Sequence, residues 1–294
     1  MTCDNGSQFL SVGVDWITAT ANQRTNCLAI AERAAKLLKS EVNSGCFKKP
    51  WGMSGFNGWK AGQVQLGKRD KEVIVRLSGR MAQLHWRKIY EVANNISRFD
   101  IECTTRTAAS AGRRISRHWQ EAKRCQRKRK RPTTVGLYRC NDNSATLYLG
   151  KRTSGRFGRV YDKGRESGEE QFREAVRYEL EAKGECANII AHEVASSRRQ
   201  MSLIAGYVAG FFSDRGLSLP ERWEPEHHSG VARSRSDIDR KLAWFNSSIR
   251  GSVSACVSRG KLVEVIEALG MSHLVQPIPN TRVHQTREDK KYVC

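Results

Sequence analysis

The sequence predicts an α+β protein made of two antiparallel-sheet units with packed helices and a small C-terminal helical unit. Residues 11–105 alternate between period-2 and helix-like segments in the order β-α-β-β-α-β, a split-βαβ, ferredoxin-like pattern. Beyond a basic helical stretch, four more strand-like runs are followed by an Ala-rich helical segment, which predicts a second sheet on related principles.

SVGVDWITAT (11–20) reads as a strand and NCLAIAERAAKLLKSEV (26–42) as an amphipathic helix of good helix formers. GQVQLGK and EVIVRLSG flank the turn-like KRD, MAQLHWRKIYEVANN (81–95) is helical, and ISRFDIECTT (96–105) returns to period 2. Residues 107–128 read as a basic helix. TVGLYRC, SATLYLG, FGRVYDK and AVRYELEAKG read as strands, and GECANIIAHEVASSRRQMSLIAGYVAGFF as helical. Pro220, Pro225 and the adjacent His227-His228 mark a linker, and 237–270 a helical unit capped by Gly270. The expected divisions are 1–105, 106–213, a linker at 214–235, a helical unit at 236–275 and a loose tail at 276–294.

With 51 Lys and Arg against 30 Asp and Glu, the 294-residue chain carries a formal net charge of +21, which draws it to polyanions and makes nucleic acid the leading partner. No apolar run approaches membrane-spanning length and MTCDNGSQFL has no signal-peptide core, so a soluble, cytoplasmic protein is expected. The nine cysteines form no CxxC pair and point to reduced thiols. GxxxxGK[ST] and GxSxG are missing, which argues against NTPase and triad hydrolase chemistry.

Side chains at i and i+2 of a strand share a face. Arg98, Asp100, Glu102 and Thr104 therefore align, as do Arg177, Glu179, Glu181 and Lys183, and Arg159, Tyr161 and Lys163. For any one strand, a solvated polar side explains this. Three such strands lying side by side would instead bring four carboxylates together, and their repulsion calls for arginines or a cation. Hard oxygen ligands of this kind suit Mg²⁺ or Mn²⁺. Tyr161 is the candidate nucleophile of such a face, with Arg159 and Lys163 to stabilise phenolate, whereas Tyr148 and Tyr178 fit packing roles. Between these strands, Thr107 to Arg131 holds ten basic residues, Arg113, Arg114, Arg117, Lys123, Arg124, Arg127, Lys128, Arg129, Lys130 and Arg131, against Glu121 alone. With Trp119 among them and the ionic face expected alongside, they are assigned to DNA phosphates.

The series VDWITAT (14–20), VRLSGR (75–80), SRFDIECT (97–104), TLYLGKRTSGRFGRVYDKGRE (146–166) and VRYELEAKG (176–184), with a weaker echo in LAWFNSSIRGSV (242–253), resembles the replication initiation factors often called Rep_trans. These serve rolling-circle plasmids, filamentous phages and some conjugative elements. The resemblance implies a metal-dependent nickase in which Tyr161 attacks an origin phosphodiester and forms a 5′-phosphotyrosine link, with Lys163 and Glu166 beside it. It implies a Mg²⁺ or Mn²⁺ site from Asp100, Glu102, Glu179 and Glu181. Thr104 departs from the usual RxDxxxD pattern, which leaves Glu102 as the substitute ligand. Single-stranded or hairpin origin DNA is the implied substrate, with a host helicase, a polymerase and a second copy of the chain as further partners. A DNA-binding regulator that kept the fold and lost the chemistry is the alternative; an RNA-binding protein fits less well, since no RNP-type aromatic signature is present.

Overall fold

The computed structural model describes residues 8–53, 55–106, 109–128, 134–139, 145–219, 259–261 and 264. The chain divides into one compact unit, Met1–Ala232, and a second, Arg233–Cys294. The expected helical unit at 236–275, the tail at 276–294 and His227-His228 fall almost wholly outside the described residues.

Ten strands form one antiparallel sheet: β1 (Gln8–Ala21), β2 (Lys49–Met53), β3 (Phe56–Ala61), β4 (Val64–Arg69), β5 (Glu72–Ser78), β6 (Asn95–Arg106), β7 (Val135–Arg139), β8 (Ala145–Leu149), β9 (Arg156–Asp162) and β10 (Ala175–Lys183). Their order across the sheet is β2-β3-β4-β5-β1-β6-β10-β9-β8-β7. The run β4-β5-β1-β6 is the expected split-βαβ arrangement, with β5 inserted between β4 and β1. The later strands form a meander, and β10 joins β6 in register from Ala175 opposite Arg106 to Lys183 opposite Arg98. The two expected sheet units are thus halves of one sheet, joined by β6 and β10. The β2–β3 hairpin was not legible in KPWGMSGFNGWKA, because its glycines and proline break the apolar alternation on which a strand assignment depends.

Five longer helices, α1 (Arg24–Asn43), α2 (Gly79–Tyr90), α3 (Ala111–Lys128), α5 (Glu185–Ser196) and α6 (Gln200–Ser213), cover one face, with the short α4 (Lys163–Ser167) following β9. Alternation fixes which face. Phe99 of β6 meets Trp86 of α2 edge to face at 5.4 Å, and Tyr178 of β10 meets His118 of α3 and Phe212 of α6 at 5.6 and 5.5 Å. Phe99, Ile101, Cys103, Tyr178, Leu180 and Val160 are each at most 1% exposed in this core. Ala-rich α5 and the apolar α6 pack on the strands, and the ring of Phe211 of α6 would lie 2.4 Å from a Cβ at Gly158. Cys27, Cys46, Cys103, Cys125 and Cys186 are free thiols. Among the described residues no helix is long and apolar enough to cross a membrane.

Candidate functional site

The opposite face of β1, β6, β10 and β9 carries the ionic residues, and register brings them together. Glu102 lies across from Glu179, which lies across from Arg159; Asp100 is opposite Glu181, and Thr104 is opposite Arg177, which in turn faces Tyr161. Asp100, Glu102, Glu179 and Glu181 are all 2% exposed or less. Burying so many carboxylates is tolerable only with close positive charge. Arg98 supplies it to Asp100 at 2.5 Å and to Glu181 at 2.9 Å, and Lys183 reaches Glu181 at 2.6 Å. Arg159 pairs with Glu179 and lies 3.8 Å from Asp100.

The compensation is incomplete at the centre. Burial pushes the carboxyls of Asp100 and Glu179 above the ordinary range, against the pull of Arg98 on the first and Arg159 on the second. Burial also raises Glu102, against Arg177 and Thr104. Glu181 goes the other way, because Lys183 and Arg98 outweigh its burial.

Thr104, the departure from the RxDxxxD pattern, has a structural part. Its hydroxyl donates to Glu102 Oε2 at 2.8 Å and accepts from Arg177 Nε at 2.8 Å, so it links the acid to the guanidinium. A bulge in β1 between Val14 and Trp16 adds Asp15 to this face, 3.2 Å from Arg177 Nη1. Neither Asp15 nor Arg177 stood out as a site residue in the sequence. A bulge leaves no trace in apolar periodicity, and the importance of Arg177 rests on a cross-strand register that only the folded sheet defines.

Tyr161 is half-buried on this face, beside Arg177 and Thr146 in the ladder. Its phenol is pushed well above the usual value, first by burial and then by Glu179, against Arg177. Lys163 is not the strand residue that was expected but the first residue of α4. Strand β9 ends at Asp162, whose carboxylate caps α4 by accepting from Arg165 N at 3.0 Å, and Lys163 pairs with Glu166 beside the ring of Phe172. The Asp162 cap and left-handed Gly168 were the readable signals of this helix. Of the other tyrosines, Tyr178 lies in the core with its hydroxyl 2.7 Å from His118 Nε2, and Tyr148 stacks on Phe157 at 5.8 Å.

Helix α3 also departs from expectation, since it packs on the helical side of the sheet and does not adjoin the ionic face. Arg114 turns inward, 5.6 Å from the ring of Tyr178. Arg113, Arg117, Arg124, Arg127 and Lys128 are exposed and Lys123 is half-buried, while Arg129, Lys130 and Arg131 lie outside the described residues. The spacing of 113, 117, 124 and 128 puts these on one helical stripe. Glu121 anchors the helix by accepting from Arg117 Nε and Ser218 N, both at 3.0 Å, and by its contact with His118 Nδ1 at 3.0 Å.

A family model described as replication initiation factor matches residues 94–254, which include β6, α3, the whole meander and α6. Among solved structures, a rolling circle replication initiator protein from Geobacillus stearothermophilus is similar at 18% identity and a TM-score of 0.49, over 67% of this chain and 84% of that one. No curated protein matches.

Proposed function

Because the chain belongs to the replication initiation factor family, we propose that it starts replication by nicking one DNA strand at an origin with Tyr161 as nucleophile. The observation that carries this reading is the position of Tyr161 directly across from Arg177 and two residues from Arg159, on the face that buries Asp100 and Glu179. Both guanidiniums interact electrostatically with the phenol oxygen. A phosphate brought to Tyr161 would lie beside the same charges, which stabilise a developing pentacovalent centre.

In the proposed reaction the Tyr161 oxygen attacks phosphorus, the bond to the 3′ oxygen breaks, and a 5′-phosphotyrosine forms. The phenol gives up its proton and the departing 3′ oxygen takes one up. One phosphodiester replaces another, so the step is reversible and needs no nucleotide.

Among the described residues no three acidic, His or Cys side chains are gathered closely enough to form a metal site. The donor chemistry nonetheless fits a hard cation, since Asp100 and Glu179 are buried oxygen donors whose charge the arginines leave partly uncompensated. We assign them as the residues that would hold Mg²⁺ or Mn²⁺, with Glu102 and Glu181 behind them and Arg159 yielding the space it shares with both. A bound ion would act as a Lewis acid on the scissile phosphate. The exposed α3 stripe is assigned to phosphates of flanking DNA, away from the nicking face.

The test is incubation with single-stranded DNA pools and Mg²⁺ or Mn²⁺, followed by a denaturing gel. A protein-DNA adduct that disappears with chelator supports the whole reading; an adduct that persists removes the metal. Tight DNA binding with no adduct on any cognate strand favours a regulator.

A further inference from the structure

The ionic face continues past the nicking residues onto β1, β5, β4 and β2, where its character changes. Arg98 lies 4.5 Å over the ring of Trp16. Arg76 of β5 sits between two indoles, 5.7 Å from Trp16 and 5.6 Å from Trp51. Trp51 lies over Gly67, where a Cβ would come within 2.7 Å of its ring. The floor of the sheet is therefore cut away beneath the indole.

Arg76 differs from Arg98, Arg159 and Arg177, each of which pairs with carboxylates. Among the described residues Arg76 has no acidic partner; it contacts Met53 Sδ, and its Nε is buried without a hydrogen bond. Burial first and then Arg98 disfavour its charge. Its cross-strand neighbour Gln65 is 8% exposed, and Gln65 Oε1 also lacks a partner. A water molecule would satisfy an orphaned donor or acceptor, but it does not neutralise the charge of Arg76, which no carboxylate among the described residues meets. An anion does.

We propose that Trp16, Arg76 and Trp51, with Gln65 beneath them, form a binding subsite for single-stranded DNA, in which bases stack on the indoles and a phosphate lies between Arg76 and Arg98. Aromatic platforms alternating with guanidiniums are the chemistry that holds an unpaired strand without regard to sequence. Four strand intervals across the sheet, and an offset of about six residues along it because Arg76 is level with Arg98 while Tyr161 is level with Thr104, put Arg76 of β5 about 28 Å from Tyr161 of β9. The subsite would hold the strand several nucleotides from the nick. It rests on the nicking reading for that role, and on its own residues for binding.

The experiment is fluorescence anisotropy of labelled oligo(dT) of graded length, about 4–16 nucleotides, with the full chain at several salt concentrations. Trp51→Leu and Arg76→Gln are each expected to weaken binding of the longer strands by roughly five- to hundredfold. Arg76→Gln should also lower the log-log salt slope by about 0.7. Arg76→Lys, which keeps the charge and loses the plane that stacks, should lose affinity while keeping the slope; it carries the test if Trp51→Leu misfolds. Unchanged affinity in folded Arg76→Gln and Arg76→Lys overturns the subsite, as does equal loss for strands of every length or tighter binding of oligo(rU) than of oligo(dT). If the variants weaken binding as expected but wild type forms no adduct with any strand, the nicking reading falls and the subsite stands.

Discussion

Arg177 faces Tyr161 across the β9–β10 ladder, and the same guanidinium reaches Asp15 at 3.2 Å and Glu102 at 3.4 Å. Its charge is shared by two carboxylates before the phenol draws on it. Burial and then Glu179 hold the phenol above its usual value, and this sharing limits how far Arg177 offsets them.

Arg177→Met should be the most damaging single change on this face, because it leaves Glu102 buried, and half-buried Asp15 beside it, without the guanidinium that pairs with both. A loss of about 3–5 kcal/mol in urea unfolding is expected, with Arg177→Lys in between. A loss below about 1 kcal/mol would mean that Arg177 is not what holds these acids.

Tyr161→Phe removes one oxygen from a half-buried ring and should shift stability by less than about 1 kcal/mol. DNA binding should persist while the covalent adduct disappears. If the variant still forms the adduct, peptide mapping would identify the true nucleophile, and attachment at Tyr148 would move the site by one strand.

The pH dependence of adduct formation follows from the phenol. The attacking form is deprotonated, and burial with Glu179 places the Tyr161 pKa above the ordinary value of about 10. Initial rates should therefore keep climbing through about pH 9, as far as the fold survives. A plateau near neutrality would mean that bound DNA or metal brings the phenol down, or that another group attacks.

Glu121 predicts an acid-sensitive anchor for α3. Burial would raise its carboxyl, but hydrogen bonds from His118 and Ser218 outweigh this and hold it at about 2. Its folded-state pKa is lower than that of the unfolded chain, so its stabilisation is complete above the ordinary carboxylate value and is lost as pH falls toward about 2. Glu121→Gln should cost about 1 kcal/mol at neutral pH, a figure already reduced for solvent screening, and nothing once the carboxyl is protonated. Parallel melting curves that never converge on acidification would reject the anchor.

Neutralising Arg117, Arg124 and Lys128 together should weaken duplex binding alike for all sequences and reduce the salt slope by about 0.9 for each phosphate that the helix no longer neutralises. Adduct formation on a short single strand should be unchanged, because α3 lies on the other side of the sheet. A weaker adduct on short strands would contradict that separation.

Most of the strands and helices could be read from side-chain period, because alternation along SRFDIECT and VRYELEAK leaves no choice about which residues share a face. The sequence by itself thus determined the α+β class, the ionic faces, and the isolation of Tyr161 from the core tyrosine Tyr178. Only the tertiary structure decided that β6 and β10 pair, which turned two expected sheets into one and set Glu102 against Glu179. It also decided that Asp15 enters the face through a bulge, that Lys163 begins α4 instead of extending β9, and that α3 lies behind the sheet. Periodicity is a property of neighbours along the chain. Register, bulges and the choice of side for a helix depend on contacts between segments far apart in sequence, whose energies no local pattern records.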